Sequence, residues 1–163
     1  MNKRKLGNSD LEITEIAFGA WAIGGWLWGG TDRNEAVRAL ETAIDNGMTT
    51  IDTASIYGFG LSEELVREAV KGKRAGTQIL TKFGMAWSGN KGTFHFTTKD
   101  NDGKTIDIYK YASKKKVLQD CEDSLKRLGT DYIDLFQIHW PDASTPVSET
   151  MEALEMLISQ GKI

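Results

Sequence analysis

Four polar side chains in this sequence are of the right types to place a proton on an oxygen: Asp52, Tyr57, Lys82 and His139. Asp52 and Tyr57 stand five positions apart in TTIDTASIYGFGLSEELV, residues 49–66. Lys82 lies in QILTKFG, and His139 lies in DYIDLFQIHW. A tyrosine has an unperturbed pKa of about 10, too high for a good acid near neutrality. A lysine ammonium beside the phenol would favour the phenolate and pull that value down. An aspartate paired with the lysine would hold the ammonium in place and offset the cost of burying it. A histidine on a neighbouring strand could hydrogen-bond a carbonyl oxygen and orient it toward the phenol. Such a set protonates an oxygen as negative charge develops on it, which is general acid catalysis with an electrophilic helper. It lacks a hydride donor. No side chain supplies hydride, so a nicotinamide would have to bring it.

Each of the four also has a plainer reading. Asp52 could cap a turn at a strand end. Lys82 could snorkel to solvent along its own stem. His139 could be a hydrogen-bonded core histidine, and Tyr57 could only pack its ring beneath a loop. What favours a site is their common placement in the pattern of elements.

That pattern repeats. A strand is predicted over EIAFG (15–19), followed by the glycine-rich loop AWAIGGWLWGG and a helix in TDRNEAVRALETAIDNG. Thr31 or Asp32 can cap this helix, an apolar stripe runs through Ala36, Leu40, Ala43 and Ile44, and Gly47 supplies the stop. The strand TTIDTA and the helix LSEELVREAVKG follow. Residues 78–84 read as a third strand and 113–129 as a third helix, capped by Ser113 and ended by Gly129. A fourth strand spans 131–140, and a fourth amphipathic helix spans 147–161. Strand and helix alternate four times, the signature of a parallel α/β fold.

Two architectures fit such alternation. A doubly wound sheet carries G-x-G-x-x-G directly after its first strand, and GAWAIGGWLWGG does not match that spacing. Trp21, Trp26 and Trp28 also stand where a tight phosphate turn needs small residues. A TIM barrel instead gathers functional side chains at the carboxyl ends of its strands. Asp52, Lys82 and His139 fall at the ends of strands two, three and four, and Tyr57 on the loop after strand two. The barrel is the better reading.

Composition excludes several functions. The 163 residues are 40% hydrophobic and 26% charged, as in a globular domain with a real core. A net charge of −3 without a basic run argues against a nucleic-acid partner. There is no apolar stretch of about 18 residues, so no membrane span is expected. The start MNKRKLGNSDLEIT has no apolar signal segment, and the default location is cytoplasmic. A single cysteine, Cys121, excludes an internal disulfide and a cysteine-based metal site, and its helical neighbours suit a buried inert thiol.

IDTASIYG followed by SEELV, then ILTKFG and DYIDLFQIHWPD, resemble the signature segments of the aldo-keto reductase superfamily, and FGAWAIGG is similar to its first strand and loop. The resemblance runs from residue 5 to residue 163. It implies a TIM (β/α)8 barrel, of which about the first four βα units are present over residues 15–163. It further implies that residues 1–14 form the amino-terminal hairpin that plugs the barrel bottom. By this likeness Asp52, Tyr57, Lys82 and His139 are a catalytic tetrad with Tyr57 as proton donor, reducing an aldehyde or ketone with NADPH. The same likeness makes Gly19, Ala20 and Trp21, with Asp52, candidate cofactor contacts.

A TIM barrel takes about 250 residues, and the family's later strands carry the groups that stack on the nicotinamide and bind the phosphates. A four-strand unit would leave strands one and four with free edges. Pairing with a second copy, or docking against a carboxyl-terminal half, would cover them, and a fragment of a family enzyme is the favoured expectation. The rival readings are a non-catalytic regulatory or binding subunit and an inactive half-barrel. Residues 85–112 are long for a βα loop and carry Trp87, Phe94, Phe96 and Tyr109, which suits the border of a pocket for an apolar carbonyl substrate. A short hairpin is expected around DNDGK. His95, within this stretch, is expected at the surface.

Overall fold

The computed structural model describes residues 1–163. Strands β1 (Lys3–Lys5) and β2 (Glu12–Thr14) pair antiparallel, with Arg4 opposite Ile13. The Thr14 N–H donates to Thr50 Oγ1 at 2.8 Å, which ties this hairpin to the amino end of the next buried strand. The hairpin therefore sits at the end of the sheet remote from Asp52, Lys82 and His139.

Four βα units follow. β3 (Phe18–Gly19) leads to α1 (Arg33–Asp45), and β4 (Thr50–Asp52) to α2 (Leu61–Ala69). β5 (Gln78–Phe83) is separated from its helix by the strands β6 (Met85–Ala86), β7 (Thr93–Lys99) and β8 (Thr105–Lys110). That helix is α3 (Lys114–Leu128), and β9 (Leu135–Ile138) precedes α4 (Val147–Ser159). The local signals explain the boundaries. Asp32 accepts from the Glu35 N–H and Ser113 from the Lys116 N–H, each satisfying an otherwise free donor of a helix start. Gly129 closes α3 at φ 63° with its N–H on the Leu125 carbonyl, a conformation that costs glycine nothing.

The main sheet is parallel, in the order β3-β4-β5-β9. This is the sequential order of a barrel wall, not the reversed order of a doubly wound sheet. Its outer strands, β3 and β9, each have one neighbour only, as expected of half a barrel. Alternation along β5 assigns the faces: Ile79, Thr81 and Phe83 lie under the helices, while Gln78, Leu80 and Lys82 face the other side. The helix side forms one core with Ile51, Phe136, Leu40, Leu65, Val117 and Leu157. Full burial of such side chains contributes about 1.5–3 kcal/mol each, which makes this layer the rigid platform for the strand ends.

The structure differs from sequence expectation at strand boundaries and in one loop. The second strand is only Thr50–Asp52, not residues 49–54. The fourth is Leu135–Ile138, not residues 131–140, where the Ile133 N–H turns to the Lys162 carbonyl. The first strand is only Phe18–Gly19, not residues 15–19, because it is an edge with a single short partner. The stretch 85–112 forms a three-stranded antiparallel sheet, β6-β8-β7, and not merely a short hairpin around residues 100–104. The Asp100–Lys104 turn is there, with Lys104 and Asp102 N–H groups donating to Asp100 Oδ1. This small sheet is anchored by a second apolar cluster, in which Met85 and Ile108 pack with Trp26, Ala54 and Ile56.

Candidate active site

Register brings the carboxyl ends together. Asp52 is the last residue of β4 and lies opposite Leu80, so Lys82 is two residues further along β5 on the same face. The His139 N–H donates to the Phe83 carbonyl at 3.0 Å, extending the ladder one residue beyond β9. Tyr57 sits in the turn after β4, its N–H on the Ala54 carbonyl and its own carbonyl taken by the Ser62 N–H. Two glycines let the first-strand loop close on this turn. A Cβ at Gly24 would lie 2.8 Å from the Tyr57 carbonyl, and one at Gly58 would lie 2.1 Å from the Gly24 oxygen.

Lys82 is the hub. Its Nζ donates to Asp52 Oδ1 at 2.6 Å, to the Thr53 carbonyl at 2.9 Å and to Tyr57 Oη at 3.3 Å. The lysine side chain is 14% exposed and the aspartate 37%. The ammonium is thus held in a polar nest with the phenol oxygen as its third acceptor. The imidazole of His139 stands edge-on to the Tyr57 ring, centroids 5.6 Å apart, and the Trp21 ring stacks on Tyr57 at 5.9 Å. Burial, reinforced by the Lys82 charge, lowers the His139 pKa to about 4. The ring is therefore neutral near pH 7 and can donate one N–H without carrying charge.

The structure brings Asp52, Tyr57, Lys82 and His139 into one cluster, beside a cavity of about 290 Å³. Trp21, Trp26, Phe96 and Trp140 give the cavity flat apolar walls around Tyr57 and His139. Of the loop aromatics expected to border a pocket, Phe96 does so. Trp87 packs against Phe59 in the second cluster, while Phe94 is exposed beside Tyr109. His95, expected at the surface, is instead half-buried in the cavity wall.

The residues proposed to meet a cofactor divide. Gly19 and Trp21 are exposed at the mouth of β3, and a Cβ at Gly19 would meet nothing within 4 Å. Ala20 has no exposed surface, and its carbonyl accepts from Ser62 Oγ at 2.8 Å. It packs the strand end, leaving Gly19 and Trp21 as the accessible part of that loop. Gln137, which sequence reasoning passed over, lies opposite Lys82 on β9, and its buried Nε2 has no hydrogen-bond partner. An open glycine and an exposed indole on the β3 side of the lysine, with an orphaned amide donor on its β9 side, fit a flat, polar ring such as a nicotinamide.

Residues 15–163 match the Aldo/keto reductase family model. The chain belongs to the aldo/keto reductase family. Among curated relatives it is 39% identical to aldo-keto reductase YhdN of Bacillus subtilis, covering 100% of this chain and 45% of YhdN. It is 37% identical to the NADH-specific methylglyoxal reductase of Escherichia coli, covering 100% of this chain and 50% of the relative. The solved glycerol dehydrogenase of Gluconobacter oxydans superposes with a TM-score of 0.82 at 38% identity, over 99% of this chain and 46% of that one. An aldo-keto reductase from Klebsiella pneumoniae, solved with NADPH, gives 0.72 at 31% identity over 100% and 48%. This aldo/keto reductase chain spans about half the length of the curated relatives it matches. No helix of the chain is long and apolar enough to cross a membrane.

Proposed function

We propose that this chain supplies the acid half of an active site that reduces an aldehyde or ketone to an alcohol, with NADPH as hydride source. The observation that carries this reading is the Lys82 ammonium, which touches Asp52 and the Tyr57 hydroxyl at once. A neutral His139 N–H binds the carbonyl oxygen and points it at Tyr57. Tyr57 Oη gives its proton to that oxygen as negative charge builds there. Lys82 stabilises the phenolate left behind, and Asp52 keeps the ammonium from turning away. A bound nicotinamide supplies the hydride that the carbonyl carbon receives. Gly19, Trp21, Gln137 and the exposed edge of Asp52 are the groups of this chain that would hold its ring. The free edges of β3 and β9 take the further strands that close the barrel, from a continuing chain or a second copy.

NADPH is supported by the Klebsiella likeness, whereas the Escherichia coli relative carries NADH in its name. Titration of the protein with each cofactor, followed by tryptophan fluorescence, decides between them, because Trp21 lies against Tyr57. Saturable quenching by NADPH at lower concentration than NADH is expected. Carbonyl-dependent oxidation of the bound cofactor should fall by about a hundredfold or more in Tyr57→Phe. Undiminished turnover in that variant would sink the assignment of the proton donor.

A further inference from the structure

Besides Tyr57 and His139, one more side chain of the cavity wall can both donate and accept a hydrogen bond, and carbonyl reduction leaves it unused. It is His95. The β7–β8 ladder is in register at Phe94 and Tyr109, then resumes at Phe96 and Ile108, so His95 is the extra residue of a β-bulge. A bulge breaks the two-residue alternation and re-aims a side chain. Here His95 and its neighbour Phe96 both reach the same cavity. The imidazole is held between rings, 4.8 Å from Phe96 and 5.3 Å from Trp140, which fixes its place while leaving its nitrogens for a ligand. The Trp26 indole N–H is already donated to Thr98 Oγ1 at 3.2 Å.

The geometry points to His95 as a specificity-determining residue that hydrogen-bonds a hydroxyl group on a small aromatic aldehyde or ketone. The inference rests on carbonyl reduction at Tyr57 for the reaction, and on the cavity itself for the substrate. The lining of this cavity of about 290 Å³ includes three indoles, Trp21, Trp26 and Trp140, beside the Phe96 ring, so a single aromatic ring suits it. Indole and phenyl walls stack on a flat body. Burial, then the Lys110 charge, holds the His95 pKa below the ordinary histidine value. A neutral imidazole satisfies a hydroxyl as donor or acceptor but offers no charge to a carboxylate.

The experiment compares benzaldehyde with its para- and meta-hydroxy derivatives, on wild-type protein, His95→Phe and His95→Gln. Affinity is read by calorimetric titration, independently of turnover, and KM and kcat are read alongside. Phenylalanine keeps the ring between Phe96 and Trp140 but removes both nitrogens, while glutamine restores a donor and an acceptor. The wild type should prefer a hydroxylated aldehyde, and His95→Phe should cut that preference about tenfold, the worth of one net hydrogen bond. His95→Gln should recover part of it. A preference unchanged in His95→Phe, or no saturable binding of any of the three aldehydes, overturns the proposal. Binding that shows the preference without turnover would leave His95 assigned and count against the reduction reading alone.

Discussion

Lys82 and Asp52 reach each other across neighbouring parallel strands, Nζ to Oδ1 at 2.6 Å, with the same nitrogen 3.3 Å from Tyr57 Oη. Asp52 therefore acts on the phenol only through the lysine, and the two side chains form one unit. Residues acting as a unit give non-additive losses. Lys82→Met should lower kcat by about a hundredfold or more, and Asp52→Ala by less, because the Thr53 carbonyl still holds the ammonium. The double variant should be little worse than Lys82→Met alone. With saturating cofactor, fully additive losses in this cycle would mean that Asp52 acts on the proton transfer apart from the lysine, beyond its place at the nicotinamide ring.

A second expectation concerns His139, whose pKa is lowered to about 4 by burial first and the Lys82 charge second. The unfolded chain has the ordinary value of about 6.5, so between about 6.5 and 4 the unfolded state binds the extra proton. Stability from this group is fully present above the upper value and is lost as pH falls through the window. The imidazole proton resonances of His139 should titrate near the lower value, and in Lys82→Met the midpoint should rise. The pH dependence of urea midpoints should be flatter in His139→Phe than in the wild type. A midpoint well above about 7 would show a charged ring near neutrality and remove the neutral-donor role.

Much of this was legible in the sequence because it is local. Caps at Asp32 and Ser113 and the stop at Gly129 are decided within a turn of chain, and the structure has all three. Asp52, Lys82 and His139 were legible as strand ends because each closes an apolar run, and parallel register then aligned them. What the sequence hid depends on distant pairing. The side to which His95 turns is set by a bulge against β8, which no spacing within TFHFTTK reveals. Gln137 looked like one polar residue in LFQIHW until its register partner proved to be Lys82. Ala20 read as part of an open loop, yet the Ser62 hydroxyl from α2 pins its carbonyl, and it is buried.

A third prediction lies under the site. Glu63 is fully buried, accepts from Arg127 Nε at 2.6 Å and from Thr81 Oγ1 at 2.7 Å, and so links α2, α3 and β5. Arg127→Leu would leave a carboxylate buried without its counter-charge, which costs about 3–5 kcal/mol. Replacing both with apolar residues of similar volume should cost far less, since neither charge is then stranded. Urea unfolding of the two variants tests this. A loss below about 1 kcal/mol in Arg127→Leu would put the pair in the class of screened surface ion pairs.

The last prediction concerns Asp142, which fastens the cavity wall to the barrel. Its Oδ2 accepts from the Ala112 N–H at 2.9 Å and Thr145 Oγ1 at 2.7 Å, and its Oδ1 from the Ser144 N–H at 2.8 Å and Ser144 Oγ at 2.6 Å. Burial alone would raise its pKa, but the hydrogen bonds from Ser144, Ala112 and Thr145 outweigh it and hold the carboxyl below the usual range. The stability it contributes is present above the unfolded value of about 3.9 and fades as pH falls through the lower folded one. Asp142→Asn keeps the shape but turns an amide toward one set of donors, stranding them at a cost of about 1–3 kcal/mol. Because Trp140 precedes this residue by two and Ala112 leads from the small sheet into α3, the wall carrying His95 and Trp140 should loosen with it. The melting temperature should fall by several degrees, and aldehyde KM should rise more than kcat falls. An unchanged melting temperature with a raised KM would place Asp142 in contact with the ligand instead of behind the wall.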